Sequence, residues 1–145
     1  MKIGSVTLKN KTILAPLAGI TNLPFRLLAK EAGCALVCSE MVSAHGLINK
    51  SKRTHQMMDS ITEEKPLSVQ IFGSRPDVMA EAARFVEASG ADIIDLNFGC
   101  SVRKIIKTGS GVALMKTPET AEAVIKAVRK AVRIPLTIKL RSGWD

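Results

Sequence analysis

Apolar residues in this chain fall in short runs, separated by longer amphipathic stretches, and the two kinds of segment alternate throughout. Residues 5–8 and 12–15 are brief apolar runs divided by Lys9-Asn10-Lys11, which predicts a small hairpin leading into a first strand. Asn22-Leu23-Pro24 opens a helix that runs to about residue 32, where Gly33 stops it. Residues 35–38 read as a short strand and 43–58 as a polar helix. Pro66 precedes a strand over 67–71. Ser74-Arg75-Pro76-Asp77 carries an N-cap and a first-turn proline. The helix beyond it aligns Met79, Ala82, Ala83 and Val86 on one face and ends at Gly90. Residues 93–96 form the next strand. Thr117-Pro118-Glu119 opens a helix striped by Ala121, Val124, Ile125, Val128 and Val132, and residues 135–140 make the last strand.

That order, β-α-β-α-β-α-β-α-β, predicts a parallel sheet covered by helices. An open doubly wound sheet and a (β/α)₈ barrel both satisfy it. No G-x-G-x-x-G follows the first strand, so the dinucleotide-binding open sheet loses its main support. Polar or distinctive residues recur instead at strand carboxyl ends: Pro16, Gln70, Asn97, and then Lys139 with Arg141. A barrel gathers those ends around one mouth, which favours the TIM barrel. A complete barrel needs roughly 250 residues. With 145 residues the chain is expected to hold about the first five β/α units, as the N-terminal portion of a single domain. No linker, low-complexity tract or repeat divides it.

Composition narrows the setting. Hydrophobic residues are 46% and charged residues 23%, a globular balance. No run approaches the length of a membrane span, and the N-terminus lacks the apolar stretch of a secretory signal. Cys34, Cys38 and Cys100 are too few for a disulfide scaffold, so a reducing, cytoplasmic location is expected. Lysine plus arginine number 21 and aspartate plus glutamate 13, a formal charge of +8. Residues 1–100 hold 11 basic and 10 acidic side chains; residues 101–145 hold 10 and 3, a net +7. Such a field attracts phosphate-bearing partners. Arg129, Lys130 and Arg133 fit the carboxyl end of a helix. Arg103, Lys104 and Lys107 are expected in a loop, free to meet phosphates.

The candidate chemistry centres on Asp95-Leu96-Asn97-Phe98-Gly99-Cys100-Ser101. It sets a cysteine just past a buried strand, in a glycine-containing loop where a thiol can exchange a proton; an inert packing side chain is the plainer alternative. Gln70 could pair with a flat heterocycle through both amide atoms, or simply face solvent. Lys139, at a barrel mouth, favours an anionic ring or phosphate. Asp95 needs a partner if buried and is assigned no catalytic role. Cys34 and Cys38 lack a second pair of ligands for zinc; their spacing in one strand puts both thiols on a single face as core residues, so no metal site is expected. Gly109-Ser110-Gly111 lacks the lysine of a phosphate loop and reads as a turn.

Several motifs, taken together and in order, resemble the FMN-dependent tRNA-dihydrouridine synthases, nearest to the bacterial B-type branch. They are Ala15-Pro16-Leu17-Ala18-Gly19-Ile20-Thr21, Pro24-Phe25-Arg26, Ser39-Glu40-Met41, Val69-Gln70-Ile71-Phe72-Gly73, Asp95 to Cys100, Gly109-x-Gly111-x-Ala113-Leu114, and Lys139-Leu140-Arg141-Ser142-Gly143-Trp144. One departure is visible: Ser101 stands where that family usually has proline. The resemblance implies a TIM barrel holding FMN in its mouth, with a helical tRNA-binding domain after the barrel that is absent here. It implies that Pro16, Leu17 and Ala18 lie against the flavin, that Gln70 and Lys139 bind its ring, and that Cys100 is the proton donor. Asn97 and Arg141 match positions on the substrate side, and Arg103 and Lys104 stand beside Cys100 where tRNA phosphates would arrive. The implied reaction reduces the C5–C6 double bond of selected tRNA uridines, with NADPH reloading the flavin.

Two other readings stay open. A flavin barrel acting on a free pyrimidine, of the dihydroorotate dehydrogenase kind, uses similar strand-end lysine and asparagine residues but has no use for the +7 segment. A non-catalytic half-barrel that self-associates through its open edges is the other.

Overall fold

The computed structural model describes residues 1–144. Its main sheet is parallel throughout. β3 (Ile13–Leu14), β4 (Leu36–Cys38), β6 (Leu67–Phe72), β7 (Ile93–Phe98) and β8 (Leu136–Leu140) lie side by side in chain order. A doubly wound sheet reverses direction at a switch point, with helices on both faces. Here each new strand joins the same growing edge, so the helices all fall on one face. This is the wall of a (β/α)₈ barrel, five strands wide, as the strand-end residues had suggested.

Strand parity sorts the side chains of that wall. Val37, Val69, Ile71, Ile94, Leu96 and Phe98 face outward into one apolar cluster with the helices. Helix α4 (Pro76–Ala88) contributes Met79, Ala82, Ala83 and Val86 to it, and α6 (Pro118–Ala131) contributes Val124 and Val128. These are the stripes predicted from spacing alone. The intervening residues, Cys38, Ser68, Gln70, Asp95, Asn97, Thr137 and Lys139, belong to the opposite, inner face.

Several local expectations are corrected. The hairpin joins β1 (Lys2–Ile3) to β2 (Val6–Thr7), because Gly4 adopts a positive φ of 55° that makes the tight turn there. The run at 12–15 supplies β3 of the parallel sheet instead. The stretch 43–58 is not one polar helix. It begins with a two-residue strand, β5 (Val42–Ser43), and continues as α2 (Ala44–Ile48) and α3 (Lys52–Gln56), with Ala44 and Leu47 buried. Lys50 takes a left-handed φ of 53° and Ser51 caps α3 by accepting from the Thr54 N–H, so the helix is interrupted between them. Strands β4 and β5 are two pieces of one interrupted strand along β6. Cys38 pairs with Ser68 and Val42 with Ile71, so one extra residue bulges between the pieces. Ser74 does not cap α4; Arg75 holds the cap position and the Ser74 hydroxyl donates to the Thr108 carbonyl at 2.7 Å.

Helix α1 (Leu23–Glu31) is capped by Asn22, whose side chain accepts from the Phe25 N–H. It buries an arginine. Arg26 is 2% exposed and meets Glu64, fully buried in a single turn before β6, through Nε at 2.6 Å and Nη2 at 3.0 Å. Its remaining donors reach the carbonyls of Thr21 (2.9 Å) and Asp59 (2.8 Å). Every lobe of the guanidinium therefore has a partner, as a buried charge requires. At the far end, the Glu87 carboxylate accepts from the backbone N–H groups of Arg133 and Ile134, ties α4 to the turn before β8, and is held below the usual carboxylate range by those two donors. Removing one member of the buried pair strands the other. Glu64→Gln and Arg26→Met are each expected to cost about 3–5 kcal/mol, read as a drop in denaturant midpoint at unchanged m-value.

Candidate active site

The inner face carries its polar residues in cross-strand rows. Gln70 pairs with Asp95 and Asp95 with Thr137; one step nearer the mouth, Asn97 pairs with Lys139. Cross-strand neighbours stand roughly 5 Å apart, so long polar side chains in one row touch. They form a continuous chain of hydrogen bonds. Thr137 Oγ1 donates to Asp95 Oδ1 at 2.6 Å and Gln70 Nε2 to Asp95 Oδ2 at 2.6 Å. Asn97 Nδ2 donates to Gln70 Oε1 at 2.8 Å and approaches Met41 Sδ at 3.7 Å. Asn97 Oδ1 accepts from the backbone N–H of Cys100 at 2.9 Å and of Gly99 at 3.3 Å. The bulge after β4 joins in, since the Gln70 N–H donates to the Ser39 hydroxyl at 3.1 Å.

A cleft of about 240 Å³ lies where these strands end. Pro16, Leu17, Ala18, Gln70, Cys100 and Lys139 all line it, with Asn97 and Arg141. Four widely separated strand ends are thus brought round one rim. The loop carrying Pro16 and Leu17 is fastened from beneath: Leu17 N–H donates to the buried Thr21 hydroxyl at 3.1 Å, and Gly19 N–H donates to the Glu40 carboxylate. Leu17 itself stays 45% exposed. A second hollow of about 270 Å³ continues inward, lined by Cys38, Ser68, Asp95 and Thr137 and sharing Pro16 and Lys139 with the cleft.

Cys100 is half-buried at the rim. Asn97 holds its N–H, and its carbonyl accepts from the Val112 N–H at 3.0 Å. Arg141 braces the same loop, with Nε donating to the Gly99 carbonyl at 2.7 Å and Nη2 to the Ser101 hydroxyl at 3.3 Å. Ser101 therefore supplies an acceptor to the same cation. Gly111 has φ +63°, and a Cβ there would sit 2.6 Å from the Cys100 carbonyl oxygen.

Other expectations change in detail. Arg103 and Lys104 lie in a short helix, α5 (Arg103–Ile106), with Lys107 at its end, and not in a loop. One helical turn is completed because the N–H groups of Ile106 and Lys107 find the Val102 and Arg103 carbonyls. All three cations are exposed, but Val102 is the residue of that turn that lines the cleft. Gln70 does not face solvent: it is 1% exposed and both ends of its amide are engaged. Cys34 and Cys38 do not share a strand. Cys34 lies in the turn before β4 and Cys38 ends that strand. Burial, and next the nearby Asp95 carboxylate, push the Cys38 thiol from its ordinary 9.0 up to about 12. No cluster of potential metal ligands occurs among the described residues. None of the helices described is long and apolar enough to cross a membrane. The residues that sequence reasoning undervalued are Asp95, Thr137 and Met41. Only Asp95 carried a signal, as a charged residue amid Ile93-Ile94-Asp95-Leu96 at the same parity as Asn97.

A barrel wall with a strand-end cleft and a thiol on its rim defines a class of α/β barrel protein, and comparison with known proteins specifies which. A family model described as dihydrouridine synthase (Dus) matches residues 13–145. The tRNA-dihydrouridine synthase B of Vibrio vulnificus is 46% identical over 145 residues, covering all of this chain and 45% of that protein. A probable tRNA-dihydrouridine synthase of Rickettsia prowazekii is 45% identical over 147 residues with the same coverage. The tRNA-dihydrouridine synthase B of Xanthomonas campestris is 42% identical, with 44% of its length covered. The chain belongs to the dihydrouridine synthase family, and it spans a little under half the length of these relatives.

Two outcomes follow from the cysteine environments. Alkylation at pH 8.5 with peptide mapping is expected to modify Cys100 and Cys34 and to spare Cys38, whose buried thiol stays protonated below about 12. Gly111→Ala is expected to cost at least about 1 kcal/mol, from the positive φ alone, and to change the Cys100 alkylation rate as the carbonyl is displaced.

Proposed function

We propose that these residues form the N-terminal portion of the flavin-binding barrel of a tRNA-dihydrouridine synthase. What carries the reading is the convergence of Pro16, Gln70, Cys100 and Lys139 on one cleft. Family membership supports it, because the relatives bear that name.

The cleft fits a flat, electron-poor, partly anionic ring system. One wall is the exposed backbone stretch Pro16-Leu17-Ala18, which a planar heterocycle can lie against. Lys139 supplies an exposed cation at the strand end, suited to a ring carbonyl or an anionic ring nitrogen. Gln70, held rigidly in its row, offers its one unengaged amide hydrogen and one unengaged lone pair. Bound FMN would supply the hydride that reduces the C5–C6 double bond of a tRNA uridine, with NADPH as the reductant. The chain's own contribution is position and one proton. Cys100 would deliver its thiol proton to the uridine C5 across the cleft, a task for a neutral thiol at an accessible rim. Arg141 and Asn97 hold the cysteine loop, so their substrate role is indirect in this geometry. The exposed Arg103, Lys104 and Lys107 would take the incoming tRNA phosphates, and the uridine would leave its stack to enter. That cationic turn favours tRNA over a free pyrimidine as substrate.

In barrels, the loops after strands seven and eight commonly hold a cofactor's phosphate. A polypeptide of these 145 residues alone is therefore expected to retain little FMN, and a flavin band at near-stoichiometric occupancy would contradict that. In the full-length enzyme, Cys100→Ala is expected to keep the flavin and lower uridine reduction in tRNA by about 100-fold or more. Unchanged turnover would remove Cys100 from the reaction. Equal activity on free uracil would favour the small-substrate alternative.

A further inference from the structure

We propose that Asp95 is the positioning residue for Cys100, acting through two amides that it forces into a single orientation. The role in catalysis rests on the function proposed above; the positioning itself does not. Asp95 is 7% exposed, on the inner face, and does not line the cleft that holds Cys100. Its effect has to travel.

The path is directional. A backbone N–H can only donate, so Cys100 requires the oxygen of Asn97. That turns the Asn97 NH₂ toward Gln70, which must answer with Oε1. The Gln70 NH₂ then points at position 95, where only an acceptor completes the chain. A carboxylate is the one side chain that accepts from both Gln70 and Thr137 without choosing an orientation of its own. The requirement set at the backbone end and the supply at the carboxylate end agree, link by link. Were either amide reversed, two like groups would face each other in a buried row, each costing the desolvation of an unpaired polar atom. Asp95 thus fixes where the Cys100 loop sits, three hydrogen bonds away.

The arrangement predicts a polarity swap. In Asp95→Asn/Gln70→Glu the shapes and total charge are kept, the Asn amide donates to the new carboxylate, and the Thr137 hydroxyl still finds an acceptor. In Asp95→Leu, of similar shape and without an acceptor, neither orientation of the Gln70 amide is enforced, whereas the carboxylate at position 70 of the double variant accepts from Asn97 whichever way it turns. Hydrogen exchange of the 145-residue chain reads the result at the Cys100 N–H. The control is the Ile94 N–H on the strand that leads into this loop, which donates to the Pro135 carbonyl. Relative to Ile94, Cys100 protection is expected to fall at least about fivefold in Asp95→Leu, the worth of one ordinary hydrogen bond, and to stay within about twofold of the parent in the double variant. Equal protection in Asp95→Leu, or an equal fall in the double variant, overturns the proposal. Should Asp95→Leu fail to fold, Asp95→Ala carries the same test: a selective fall at Cys100 supports the relay, and an unchanged Cys100-to-Ile94 ratio refutes it. None of these readouts requires flavin or tRNA, so the relay and the proposed activity can fail separately.

Discussion

A buried carboxylate on the inner face of the wall is the constraint on which the site depends. Asp95 stands on a strand buried along its whole length, where an unpartnered charge would be prohibitively costly. Its two oxygens are satisfied by side chains from the strands on either side, Gln70 of β6 and Thr137 of β8. The same bonds that make the charge tolerable tie three adjacent strands together across their inner faces. They also commit Gln70 and Asn97 to fixed orientations, so the polar surface offered to the cleft is set by packing before any ligand arrives. Preorganisation of this kind is what a site needs in order to hold a reacting group without rearrangement.

The singly wound topology makes that separation possible. Because every crossover falls on one side, outward positions need only be apolar and inward positions are released for chemistry. The buried Arg26–Glu64 pair plays the corresponding part outside the barrel, anchoring α1 to the turn that leads into β6. A rigid frame then delivers the loops after β3, β4, β7 and β8, with Gln70 of β6 between them, to a common rim.

Much of this could be read from the chain. The outward stripes of α4 and α6, the caps at Asn22 and Gly90 and the strand-end set Pro16, Gln70, Asn97 and Lys139 rest on periodicity and local chemistry, and these survive folding. What escaped was of two kinds. Some signals were local but outweighed: Gly4-Ser5 marks the hairpin turn, yet the apolar runs at 5–8 and 12–15 dominate there, and Ser51 marks a second helix start inside a polar stretch that reads as one helix. Others exist only across strands. That Asp95 meets Gln70 and Thr137 follows from register, which a single chain of letters does not display. The same gap misplaced Cys34: its spacing from Cys38 suits one strand, but the strand begins after it, at Leu36.

The loop that bears Cys100 shows how a flexible turn can be held without a proline. Proline stiffens a turn by fixing φ and reducing the freedom of the unfolded chain. Ser101 does neither, so the loop has to be held by contacts. Its N–H side is held by Asn97, its carbonyl side by the Val112 N–H and the Arg141 guanidinium, and its inner flank by Gly111, where no side chain fits. Arg141 reaches the Ser101 hydroxyl as well, an acceptor that proline lacks. The cation is exposed, so that bond adds only modestly, on the order of 1 kcal/mol or less, and the larger share of the restraint falls on Asn97. Hence the chain of amides running back to Asp95 matters more in this protein than it would with a proline after the cysteine: the rigidity a ring would contribute locally is here imposed from the barrel interior.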